Sequence, residues 1–189
     1  MATKATELSS KNYYHGRIFD VVQRKLVTPD GMTVTRDVVE HGDAVAFIAL
    51  LPDENRAPLI QLGYEYRAGV DDMRWSLPAG LVNAGEDRPT AAIREAQEEG
   101  GLQFGTAKEL FAMSSSEGFT SEEVSIVLLT DYQGEVEKHF DQDEFVTTKL
   151  VPLKEAIQMQ HEGIIKSAPG VAALIWAELH YAELAELVK

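Results

Sequence analysis

Residues 44–51 read Ala-Val-Ala-Phe-Ile-Ala-Leu-Leu, the longest apolar run in the chain. The run is far too short to cross a bilayer. As a strand it is apolar on both faces, which puts it at the centre of a sheet with a layer packed on either side. Residues 58–65, 110–114, 124–131 and 147–151 have strand patterns that can supply its neighbours. Residues 152–163 read as a helix, and residues 167–188 as another with Pro169 near its start. Strands with helices on two sides predict an α/β protein in three layers, α/β/α.

Ahead of this core, residues 17–23 and 33–39 read as strands joined through a turn at Pro29-Asp30-Gly31. A hairpin of this size is marginal alone. Its apolar residues Ile18, Val21, Val34, Val38 and Val39 need a cover from elsewhere. At 189 residues the chain has room for one domain and a small appendage. The expected division is an N-terminal β-strand segment, residues 1–42, and a main domain, residues 43–189.

A further helix is expected between Gly80 and Leu102, and it carries the chemistry. Glu95, Glu98 and Glu99 stand at i, i+3 and i+4, which crowds three carboxylates onto one face. Like charges at this spacing repel. A hard divalent cation with oxygen ligands, Mg²⁺ or Mn²⁺, is the natural group to place between them. Pro89 suits the first turn of the helix. Gly100 and Gly101 are expected to end it in the left-handed conformation. Gly80, just after Pro78, allows close backbone approach before the helix, and Arg94 offers a fixed fork of donors to a carboxylate.

The formal net charge of −14 argues against a nucleic-acid groove and against an anionic membrane surface. With no cysteine, disulfides and thiolate metal sites are excluded. The five histidines are scattered, without metal-ligand spacing on a helix. The first residues lack the apolar stretch of a signal peptide, so the expected compartment is the cytoplasm.

Together these residues resemble a known signature. Gly80, Glu86, Arg94, Glu95, Glu98, Glu99 and Gly101 match every fixed identity of the Nudix box, G-x5-E-x7-R-E-U-x-E-E-x-G-U with U aliphatic. At roughly 6% usage per residue type, chance agreement at one start point is on the order of 10⁻⁸ to 10⁻⁹. Ala96 is small where a larger aliphatic is frequent, which bears on packing under the helix. Further segments resemble the ADP-ribose pyrophosphatase subfamily, a group of nucleoside diphosphate sugar hydrolases. They are Tyr14-x-Gly16-Arg17-Ile18-Phe19, Arg36 to His41, Gln61 to Arg67, and Ser116-Glu117-Gly118 followed by Glu122.

The resemblance implies the Nudix fold, an α/β/α sandwich with a mixed sheet and a small N-terminal β-strand subdomain. It implies divalent-metal-dependent hydrolysis of the diphosphate bond of ADP-ribose or a related nucleoside diphosphate sugar, giving a nucleoside monophosphate and a sugar phosphate. The main-chain carbonyl of Ala79 and the carboxylates of Glu95, Glu98 and Glu99 would bind the metal ions. Gly80, Glu86, Arg94 and Gly101 would support that set. Arg67 would contact the diphosphate, its alternative being an ion pair with Asp71 or Asp72. Aromatics such as Tyr13, Phe19 or Tyr66 would stack on the base. A second copy of the chain would cover the N-terminal strands, which makes a homodimer the expected assembly. For the general base the resemblance points to the loop at 139–145, with Glu144 first and Glu122 and Glu98 as rivals. The other readings are a hydrolase of GDP-mannose or another NDP-linked compound, an RNA 5′-pyrophosphohydrolase, and a nucleotide-binding regulator. No basic track favours the RNA reading, and the intact box disfavours the regulator.

Overall fold

The computed structural model describes residues 3–138 and 146–188. In chain order the elements are β1 (Thr6–His15), β2 (Phe19–Val27), β3 (Thr33–His41), β4 (Ala44–Pro52), β5 (Pro58–Arg67), β6 (Asp72–Ser76), β7 (Ala79–Leu81), α1 (Arg88–Glu98), β8 (Leu102–Ser114), β9 (Glu123–Glu135), β10 (Thr147–Pro152), α2 (Leu153–His161), α3 (Ala168–Leu179) and α4 (Tyr181–Leu187). They form two compact units, Met1–Asp43 with Ser114–Glu123, and Ala44–Met113 with Val124–Lys189.

In the larger unit β4 is the central strand, as its apolar run requires. It lies between β5 and β9 in the order β10-β5-β4-β9-β8, with β6 beside β5 and β7 beside β4. The β4–β9 pairing is parallel and the β4–β5 pairing antiparallel, so the sheet is mixed. Alternate side chains of a strand face opposite ways. Val45, Phe47 and Ala49 accordingly enter one core with Ala91, Ala92 and Ala96 of α1. Ala46, Ile48 and Leu50 enter another with Leu153, Ala156, Ala173, Leu174 and Leu184 of the C-terminal helices. This is the expected α/β/α sandwich. At roughly 25 cal/mol per Å², each fully buried Phe or Ile contributes about 1.5–3 kcal/mol.

The smaller unit is a three-stranded antiparallel sheet, β1-β2-β3, rather than a simple hairpin. Its first strand escaped the sequence reading because Thr6 to Lys11 contain one apolar residue, Leu8. Segment Ser114–Glu123 joins this unit through backbone bonds: Val39 N–H donates to Phe119 O (2.7 Å) and Ser121 N–H to Val39 O (3.0 Å). Two other elements differ from expectation. The short strands β6 and β7 lie in a stretch for which no strand is expected, and residues 167–188 form two helices. The break falls at His180, whose φ of −110° and ψ of 17° leave the helical region. Its ring stacks on Trp176 with centroids 4.2 Å apart.

Candidate active site

The helix that bears the glutamates starts from a side-chain cap. Asp87 Oδ1 accepts from Thr90 N–H at 2.8 Å, and that bond holds the Asp87 carboxyl below its usual range. Pro89 lies in the first turn. Only Gly101 ends the helix left-handed, with φ 66°. Gly100 is needed for another reason: a Cβ there would collide with Ala96 O and Gln61 Oε1. Gln61 is buried, and its amide donates to Gly100 O at 2.9 Å, tying β5 to the end of α1.

The positive charge among the carboxylates is Arg94. Its Nε and Nη2 donate to the two oxygens of Glu86 at 2.9 and 3.0 Å, and Nη2 also reaches Leu81 O at 2.9 Å. Its Nη1 donates to Glu95 Oε1 at 2.7 Å and to Glu98 Oε2 at 3.0 Å. The bidentate bond from Arg94 is the main reason the Glu86 carboxyl is held below its ordinary range, against the opposing effect of burial. The same bonds, those to Glu86 first, raise the Arg94 guanidinium further above its usual value. Glu95 is 7% exposed, the one carboxylate among the buried polar side chains of the described residues. Its side chain packs on Gly80, where a Cβ would lie 2.6 Å from Glu95 Cγ. Gly80 is in turn fixed on the sheet, since β7 pairs Ala79 with Ala46 and Gly80 with Val45.

A cavity opens beside this network. Arg67, Ala79 and Glu99 line it together with Glu65, Ser76 and Thr148. Arg67 pairs with Glu65, not with Asp71 or Asp72. Residues two apart on a strand share a face, and 65 and 67 are such a pair on β5. Asp72 is taken by Arg74 at 3.2 Å, and Asp71 accepts from the Tyr66 hydroxyl at 2.7 Å.

The structure thus brings Arg67, Ala79 and Glu99 to one cavity, and Gly80, Glu86, Arg94, Glu95 and Glu98 into one network. Glu122 belongs to the smaller unit, where its carboxylate lies 3.6 Å from His41 Nδ1. Phe19 is in the same unit, its ring 5.9 Å from that of Tyr14. Glu144 lies outside the described residues. Among the described residues no group of three or more His, Asp or Glu side chains converges at metal-site spacing. The donor chemistry nevertheless suits a hard divalent cation. It is all oxygen, and two carboxylates already meet at one cationic point, Arg94 Nη1. Sequence reasoning missed Glu65, Ser76 and Thr148; only the alternation along β5 could have flagged Glu65.

Comparison with known proteins adds to this geometry. Residues 40–173 match the NUDIX domain. The chain is similar to the ADP-ribose pyrophosphatase of Mycobacterium tuberculosis, 34% identical over 171 residues that cover 89% of this chain and 80% of that protein. It is also similar to the ADP-ribose pyrophosphatase of Bacillus subtilis, 26% identical over 91% of each. The methanol dehydrogenase activator of Bacillus methanolicus is 28% identical over 93% of each. A crystal structure of an ADP compounds hydrolase has a TM-score of 0.82 with 97% of each chain covered. At its 22% identity that likeness concerns the fold.

Proposed function

The chain belongs to the NUDIX family, and from that membership we propose that it hydrolyses the diphosphate bond of ADP-ribose and related nucleoside diphosphate sugars, yielding a nucleoside monophosphate and a sugar phosphate. One observation carries the reading: Arg67, Ala79 and Glu99 line a single cavity beside the helix that bears Glu95 and Glu98. A guanidinium suited to phosphoryl oxygens and carboxylates suited to a cation thus share one space. The similarity to ADP-ribose pyrophosphatases supports the substrate class.

NUDIX hydrolases depend on divalent metal, and Mg²⁺ is the ion proposed here, with Mn²⁺ as substitute. Glu95, Glu98, Glu99 and Ala79 would hold it. When bound, such an ion neutralises phosphoryl charge and acidifies a water. The protein's own groups do the rest. Arg67 offers its fork to phosphoryl oxygens. Arg94, locked to Glu86, keeps Glu95 and Glu98 in place, and Gly80 admits Glu95 against the sheet. For the water's proton the proposed acceptor is Glu144, with Glu122 and Glu98 as its alternatives. Tyr66 and Phe19 are proposed to contact the base.

Residues 1–42 are proposed as a dimer-forming segment and 43–189 as the hydrolase domain. Leu8, Tyr13, Tyr14, Ile18 and Met32 of that segment are exposed, and a second copy of the chain would cover them. Among the described residues no helix is long and apolar enough to cross a membrane, and the cytoplasm is the proposed compartment.

The test is purified protein with Mg²⁺ against ADP-ribose, other NDP-sugars and dinucleotides, with monophosphate release as the readout. Release of AMP from ADP-ribose, abolished by chelator, is the expected result. No monophosphate from any of these compounds, with Mg²⁺ or Mn²⁺, would end the proposal.

A further inference from the structure

β5 and its two neighbours build an open, polar patch in the wall of the cavity. Gly63 on β5 stands opposite Ser76 on β6 and Thr148 on β10. Directly opposed residues point to the same face of a sheet. Two hydroxyls therefore flank a position that has no side chain, and all three residues line the cavity with Arg67. A Cβ on Gly63 would sit 3.3 Å from Val146 Cγ1, so even a methyl would crowd that side of the patch.

The hydroxyls are unevenly served. Ser76 is 5% exposed, and its Oγ has no hydrogen-bond partner among the described residues. A buried hydroxyl left this way costs stability, which a ligand could restore. Thr148 Oγ1 accepts from Lys138 Nζ at 2.6 Å, which leaves its own proton for another acceptor. Lys138 thereby stands behind Thr148, and Arg67 brings a guanidinium to the cavity wall. Glu65 lines the same space but is paired with Arg67. Glu99 is among the carboxylates assigned to a cation. Two hydroxyls and the Arg67 guanidinium beside a position without a side chain suit a group rich in anionic oxygen.

We propose that Ser76 and Thr148, with Lys138 behind Thr148, form a subsite for one phosphoryl group of the substrate, with Ser76 as a binding residue. The inference rests on reading the cavity as the place of diphosphate hydrolysis. The subsite adds donors on the sheet side to the fork of Arg67, and Gly63 gives the phosphoryl group its room.

The test uses Ser76→Ala and Thr148→Val, singly and together, and Gly63→Ala in the full chain. AMP and ribose 5-phosphate are titrated calorimetrically with Mg²⁺ present, so that binding is read without turnover. Each lost hydroxyl should weaken the monophosphate that uses the subsite about tenfold, the scale of a hydrogen bond to a charged group. KM for ADP-ribose should rise by a similar factor, with kcat changed much less. Gly63→Ala should weaken the same monophosphate with both hydroxyls intact. Unliganded Ser76→Ala should melt at or above the wild-type temperature, because an unpartnered buried hydroxyl has been removed. A lower melting temperature would give Ser76 a structural role and overturn the inference. Unchanged binding of both monophosphates in the double variant would overturn it as well. A wild type that binds monophosphate through these hydroxyls yet cleaves no diphosphate would sink the hydrolase reading and leave the subsite standing.

Discussion

The carboxyl arm of Glu95 lies on the bare backbone of Gly80, its Cγ 2.6 Å from where a Cβ would be. A methyl at position 80 must therefore push Glu95 out of its place between the sheet and Arg94. Gly80→Ala should lower kcat by about a hundredfold, the scale expected when a carboxylate proposed to hold the cation is displaced. It should also lower the melting temperature, since Glu95 is buried and bonded to Arg94. Steady-state kinetics and thermal unfolding check both effects. Wild-type turnover in this variant would mean that the position of Glu95 is immaterial.

Glu98→Gln and Glu99→Gln should each reduce kcat by at least about a hundredfold with Mg²⁺ present. Glutamine is nearly as good a helix former as glutamate, so circular dichroism should be unchanged. Near-normal rates in both variants would remove the site.

The Glu86–Arg94 pair gives stability a pH dependence of known sign. Arg94 holds the folded-state pKa of Glu86 below its ordinary value of 4.5. A carboxyl depressed in the folded state stabilises fully above its unfolded pKa, and loses that effect as pH falls through the lowered folded value. The melting-temperature gap between wild type and Glu86→Gln should be widest near about pH 7 and narrow below about pH 4.5. A gap that is flat or grows on acidification would show that the pair is not the source.

At micromolar concentration light scattering should give the mass of a dimer. Replacing exposed Leu8 and Tyr13 with aspartate should give the mass of a monomer, because a charge buried at an interface without a partner is costly. A wild type that is monomeric and fully active would leave the N-terminal sheet without the proposed role.

What could be read from the sequence followed the range of the interactions involved. Glu95, Glu98 and Glu99 share a face through local helical geometry, with Pro89 and Gly101 at its ends, so they were visible. The run at 44–51 was visible because continuous apolarity leaves a strand few places to go. The reach of Arg94 was harder to see. Neighbours at i and i+1 do not face each other on a helix, yet Arg94 bends its long side chain back to Glu95 while clasping Glu86. The pairing of Gly63 with both Ser76 and Thr148 depends on sheet register between strands distant in sequence, which no local pattern reports. The break at His180 follows no glycine or proline signal; its ring lies on Trp176, one turn earlier.

Ala91, Ala92 and Ala96 are all fully buried beneath α1, facing Val45, Phe47 and Ala49 of β4. A helix resting on methyl groups lies nearer its sheet than one resting on leucines. The height at which the glutamates stand over the strand ends is therefore gauged by the smallest apolar side chains available. A leucine there would look conservative by hydropathy but would act as a shim, lifting every carboxylate at once. Three residues with no chemistry of their own set the tolerance to which the charged ones are machined.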